Sequence, residues 1–308
     1  MDCSAASTTL HFHHHTPKRL QISPKFQNLK THITRRSLII LTSTLSLPTP
    51  LSLSSSEVTP TRQPDVTITD RVYIDLSICP NYFRPDRTLG DDEYTACEET
   101  EPLGRVVIGL YGKQVPLTVS NFKQMCIGTS TGSSYKGTLV HKIFPGEYFI
   151  AGKQGRRDKG EVKPPYDELA RNTETVESRA FLLQHSRPGV VSLCLSENDD
   201  EDEIKLDPEY RNVEFLITTG PAPTPQLDGR NIVFGTVLEG LDVVTTIAAI
   251  PTYKPSDRIR QFNDLAEFFG DERAQSARNI WNRPLKTVYI SDCGELKVAK
   301  PLLSPSLP

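Results

Sequence analysis

The sequence predicts a mainly β fold: an eight-stranded antiparallel barrel capped by two helices, with an extra helical insertion near the C-terminus. Three observations carry that prediction. Strand-like segments recur through residues 71–298, about eight in all, the first two with the period-two alternation of half-buried strands. Two stretches between them show helical apolar spacing, with one buried face each. No strand–helix–strand alternation of a parallel sheet appears, so an antiparallel barrel is the simplest closure.

Residues 1–56 read as an address. They are rich in Ser, Thr and His and carry six basic side chains against one acid, Asp2, which is transit-peptide composition. Arg35-Arg36 precedes an apolar run, Leu38–Leu41, extended by Leu45 and Leu47 and ended by Pro48 and Pro50. The run is too short to span a bilayer and suits a signal region after a twin arginine. Two such addresses in series resemble those of plant proteins sent into the chloroplast and then the thylakoid lumen, with the stroma as the alternative. The formal net charge of −3 splits into +5 for residues 1–56 and −8 for the rest. A mildly acidic body offers no electrostatic footprint for nucleic acid.

Residues 57–70 read as a linker. Val72, Ile74, Leu76 and Ile78 alternate as a strand, and residues 81–103 read as a long polar loop before the strand Gly104–Tyr111. Val115–Gly128 is a helix: Val119, Phe122 and Cys126 share a face, Pro116 suits the first turn and Gly128 the end. Next comes YKGTLVHKIFPG, Tyr135–Gly146, a strand between two turns that delivers the basic couple His141-Lys142 to its end. That arrangement suits a site acting on a carbonyl or amide; the plain alternative is a strand with a solvated lysine. Tyr148–Gly152 is a short apolar segment, followed by a charged, loop-rich stretch over 153–188.

Val190–Leu195, Val213–Thr219 and Asn231–Leu238 are further strands, and Leu241–Ile250 is a helix with Leu241, Val244, Ile247 and Ala248 on one face. The acidic block Asn198–Glu203 reads as a solvated loop, since carboxylates in a flexible loop seldom form a fixed cage. Residues 252–285 hold an amphipathic helical pair, with Ile259, Phe262, Leu265, Ala266 and Phe269 at helical spacing. It is either a lid on its own domain or a surface for a protein partner. Thr287–Ile290 and Ser291–Leu296 close the domain, and the proline-rich tail 299–308 is expected to be disordered. Without the leader five cysteines remain, with no metal spacing. Cys79 and Cys97 flank one polar loop. They either pair in an oxidising compartment or stay free like the others.

The order of these pieces resembles the cyclophilin family of peptidyl-prolyl isomerases. PLGRVVIGLYGKQVPLTVSNF (Pro102–Phe122), YKGTLVHKIFPG, GVVSL, EFLITT, LDGRNIVFGTVLEG and ISDCGEL stand in the family's order. The resemblance covers about residues 71–298, interrupted by insertions near 79–103, 153–188, 196–212 and 252–285. It implies rotation of X–Pro peptide bonds in proline-containing peptides or client proteins, with no cofactor and no metal. The family's groove has an Arg as electrophilic donor, an apolar pocket for the proline ring, and Gln, Asn, Trp and His as its clamp. Here Lys142 stands at the arginine position. Tyr148 and Phe149 stand near the pocket Phe and Met, allowing Glu147 as an inserted residue. Ala151 replaces the Gln and Leu195 the groove Asn. Phe215 and Leu216 follow Glu214 where the family has Gln-Phe-Phe, Gln226 replaces the Trp and Asn231 the His. The implied activity is therefore weak or lost, and the alternative function is a catalytically impaired interaction module or chaperone in the chloroplast.

Overall fold

A computed structural model describes residues 63–79, 100–196, 202–297 and 302–303, all within one compact unit, Pro60–Pro308. The leader, Cys97 and most of the acidic block lie outside the described residues.

Eight antiparallel strands form one sheet. They are β2 (Asp70–Cys79), β3 (Glu101–Leu110), β4 (Val140–Phe144), β5 (Tyr148–Ala151), β6 (Val190–Leu193), β7 (Phe215–Thr218), β8 (Ile232–Glu239) and β9 (Thr287–Leu296). Their spatial order is β4-β5-β7-β6-β8-β3-β2-β9. The sheet curls until its ends meet. Leu139 bridges to Tyr289, Gly137 N donates to Ile290 O at 2.7 Å, and Ile290 N donates to Thr138 O at 2.8 Å. Closure satisfies backbone groups that an open edge strand would expose. A separate two-strand pair joins β1 (Thr67–Ile68), in the segment read as linker, to β10 (Leu302–Leu303), in the tail expected to be disordered.

Alternation explains the core. Val72, Ile74 and Leu76 of β2 and Val106, Ile108 and Leu110 of β3 are all buried in the interior cluster. β3 begins three residues before its apolar pattern does, because Glu101 and Pro102 pair with Ile78 and Ser77 of β2; pairing overrides local polarity there. Helix α1 (Pro116–Ile127) caps the barrel, with Pro at its start and Gly128 at φ +96° past its end. It inserts Phe122 into an aromatic group with Tyr135, Phe215 and Phe234, at centroid distances of 4.7–5.4 Å. A gap of only about 10 Å³ remains inside, beside Phe149, Phe215 and Ile290, room for one water at most.

The acidic segment returns as a helix, α2 (Asp202–Leu206). Helix α3 (Leu241–Ala248) buries Val243, Val244 and Ile247. Leu241, expected on that buried face, is 43% exposed at the helix start. The C-terminal insertion forms α4 (Asp257–Phe268), capped by the Ser256 hydroxyl, and α5 (Glu272–Arg278). Arg278 of α5 pairs with Asp264 at 2.8 Å and with Glu267 of α4. The apolar row of the insertion stays largely outside the packing: Phe262 is 61% exposed, Phe268 82% and Phe269 76%.

Candidate functional site

The basic couple owes its placement to a break in register. Val140 of β4 faces Ala151 of β5 and Lys142 faces Ile150, with His141 as the extra residue between them. Such a bulge turns two consecutive side chains to one side. Val140 and Ile143 go into the interior core, while Lys142 lies opposite Ile150, a member of a second cluster on the outer side. Lys142 is only 8% exposed, so it forms part of the wall rather than reaching into bulk water.

The outer cluster contains Tyr148, Ile150, Cys194, Leu216 and Leu227, with Phe144 packed against it. The Phe144 and Tyr148 rings stack at 4.5 Å and 25°. Tyr148 and Leu216, two expected pocket residues, therefore do meet on the Lys142 side. Phe149 and Phe215 do not join them: both lie in the interior core. The reason is strand geometry, since neighbours along a strand face opposite ways and a one-residue shift exchanges the faces. Glu147 closes the tight turn that starts at Phe144, donating its N–H to Phe144 O at 3.0 Å. That turn sets Tyr148 and Ile150 outward and Phe149 and Ala151 inward. Reading the turn as closed at Glu147 and alternating from there would have found Ile150. Nothing in their composition distinguishes Cys194 and Leu227 from ordinary core residues.

The remaining expected residues are engaged by the protein's own groups. Leu195 is buried in the interior core, and its N–H donates to Asn231 Oδ1 at 2.8 Å. Ser196 N donates to the same oxygen at 3.1 Å. Asn231 thus engages the backbone N–H of Leu195, which stands where the resemblance has the groove Asn. Gln226 is exposed, and its Nε2 donates to Glu147 Oε2 at 3.1 Å.

A buried charge cluster supports the bulge. His141 Nε2 lies 2.7 Å from Glu214 Oε1, and Lys205 Nζ lies 2.9 Å from Glu214 Oε2. Burial alone would push the Glu214 carboxyl upward. The His141 hydrogen bond and the Lys205 charge outweigh it and hold the carboxyl well below the usual range. Lys205 comes from α2, so the acidic insertion is anchored beneath the site by its one buried cation of that helix.

A second constellation has the spacing of a nucleophile triad. Ser192 Oγ is 2.9 Å from His185 Nε2, and His185 Nδ1 is 2.8 Å from Asp228 Oδ1. Ser192 is 0% and His185 1% exposed, so no substrate reaches the hydroxyl. The trio instead ties β6 to the Leu227-Asp228 turn that walls the outer cluster. Burial depresses the His185 pKa against the pull of Asp228.

Cys79 is disulfide-bonded, and Cys126, Cys194 and Cys293 are free. Among the described residues no group of three or more His, Cys, Asp and Glu side chains is placed to hold a metal, and no helix is long and apolar enough to cross a membrane.

Two comparisons with known proteins bear on this site. The family profile described as cyclophilin type peptidyl-prolyl cis-trans isomerase/CLD matches residues 96–264. The chain is also 68% identical over 247 residues to "Peptidyl-prolyl cis-trans isomerase CYP28, chloroplastic" of Arabidopsis thaliana, an alignment covering 80% of this chain and 87% of that protein.

Proposed function

Because the chain belongs to the cyclophilin-type peptidyl-prolyl cis-trans isomerase family, we propose that it accelerates cis–trans exchange of X–Pro bonds in client proteins, at a low turnover. The observation that carries this reading is the bulge at His141, which sets Lys142 on the same face as Tyr148, Ile150 and Leu216. Rotation about a peptide bond is opposed by about 18–20 kcal/mol of C–N double-bond character. X–Pro isomers are close in energy yet exchange over tens to hundreds of seconds. Catalysis needs an apolar seat for the ring and a cation that stabilises the twisted, non-conjugated amide. Lys142 supplies the charge but not the planar fork of an arginine. One preorganised donor is worth on the order of 2.7–4 kcal/mol, or 10²–10³ in rate, and Ala151 offers no side-chain donor.

The test is proline-peptide exchange followed by NMR. Lys142→Ala is expected to bring the rate down to that of buffer, and Lys142→Arg to raise it about 10-fold, part of what one aligned donor supplies. Equal rates for all three proteins would sink the assignment of Lys142.

A second reading, a non-catalytic interaction module, is favoured by a specific observation: the Leu195 N–H is already spent on Asn231. Under it, the exposed row Ile259, Phe262, Leu265, Phe268 and Phe269 meets a protein partner. Turnover indistinguishable from buffer in wild type and Lys142→Arg selects this reading.

The leader composition and the chloroplastic relative agree on the chloroplast. We place the mature protein in the thylakoid lumen, on the twin arginine ahead of the apolar run. The bonded state of Cys79 suits an oxidising compartment.

A further inference from the structure

A proline ring can enter only an apolar hollow that is vacant or can be vacated. The outer cluster beside Lys142 is filled by the protein's own side chains. Tyr148 is 5% exposed, Leu227 3%, and Ile150, Cys194 and Leu216 0%. The filling group is an aromatic ring, that of Tyr148, stacked on Phe144.

A side-chain bond joins residues adjacent in sequence to this ring and to Leu227. Glu147 immediately precedes Tyr148, and Gln226 immediately precedes Leu227. Their side chains join at 3.1 Å, so the bond links the two segments that carry members of the cluster. Glu147 O also accepts from Thr219 N at 2.8 Å. We propose that Tyr148 is a built-in plug of the proline-ring site, retained by Phe144 and by the Glu147–Gln226 strap, and that peptide binding requires its displacement. This rests on the isomerase-family reading of the site.

The surroundings make displacement feasible. Tyr148 is the first residue of β5, next to the turn residues Pro145, Gly146 and Glu147, all exposed. The ring can therefore rotate towards solvent without disturbing Phe149 or Ala151 beneath it. Glu147 and Gln226 are both exposed, and a hydrogen bond in water is readily exchanged for bonds to solvent. The floor, Ile150 and Leu216, sits mid-strand and stays in place. In the population view, a site whose competent state is sparsely occupied binds more weakly by that occupied fraction.

The experiment uses the chain lacking its leader and an Ala-Ala-Pro-Phe peptide. Binding is followed by NMR shifts and isomerisation by exchange spectroscopy. Tyr148→Ala is expected to tighten peptide binding about 10-fold or more, because the closed state is lost. Gln226→Ala, which touches only the strap, is expected to tighten it by a smaller factor. Tyr148→Met, flexible and close in bulk, serves if the alanine variant does not fold. Weaker or unchanged binding in the folded Tyr148 variants overturns the proposal, since Tyr148 would then be a wall that holds the ring. Wild-type binding with the Tyr148 ring resonances unmoved overturns it as well. Tighter binding without turnover in any variant upholds the plug and removes the isomerase reading instead.

Discussion

Glu214 shows how one substituted residue reorganises a site. Its carboxylate is buried between His141 and Lys205, and removing a member of a buried pair leaves a charge without its partner. Glu214→Gln is therefore expected to cost about 3–5 kcal/mol at pH 7; an unchanged denaturation midpoint would contradict the pairing. The pH dependence has a definite sign. The folded Glu214 pKa is depressed, so its contribution is full above the unfolded value of about 4.3 and disappears as pH falls through the folded value. The folded His185 pKa is also depressed, so the unfolded chain takes up a proton first. Stability is expected to begin declining below about pH 6.5 and to fall further below about 4.3. Thermal melts across pH 3–8 check this, and the lower stage should flatten in Glu214→Gln. None of this was legible in sequence, because Glu214 and Lys205 come together only through the return of α2. Tyr148 and Leu216 lie on the outer face and Phe149 and Phe215 in the interior core, a division that the expected four-residue pocket did not draw. An allowance of one residue at Glu147 is enough to reverse a strand's faces.

The elements were the most readable level. Period-two alternation marked β2 and β3, β5 showed only as a short apolar segment, and Pro116 and Gly128 bracketed α1. Boundaries failed where tertiary pairing acts on polar residues, as at Glu101 and Pro102, and where an acidic run becomes helical, as in α2. Two of the aromatic groups make a clear contrast. Phe122 lies inside, touching three rings, and Phe122→Ala is expected to cost about 3–5 kcal/mol. Phe268 and Phe269 of the insertion stack edge to face on each other and are mostly exposed. Changing both to Ser is expected to move stability by no more than about 0.5 kcal/mol each. A large loss in denaturant titration would mean that the row belongs to the fold rather than to a partner.

At the scale of the whole molecule, destination and architecture are linked. Replacing Arg35-Arg36 by two lysines is expected to leave the imported protein in the stroma; arrival in the lumen regardless would remove the twin-arginine argument. The barrel itself was legible because its closure uses only antiparallel neighbours. The order of those neighbours was not, since alternation says nothing about which strands lie side by side. That order has β2 flanked by β3 on one side and β9 on the other, with Arg71 opposite Leu296 and Cys79 opposite Thr287. The first barrel strand thus waits for the last. A chain made or imported N-terminus first carries β2 with one edge open until more than 200 residues have followed it. Non-local pairing of this kind is slow, and an open edge is where chains join one another by mistake. A protein that belongs to a family of folding catalysts is, by its own topology, a late and vulnerable folder.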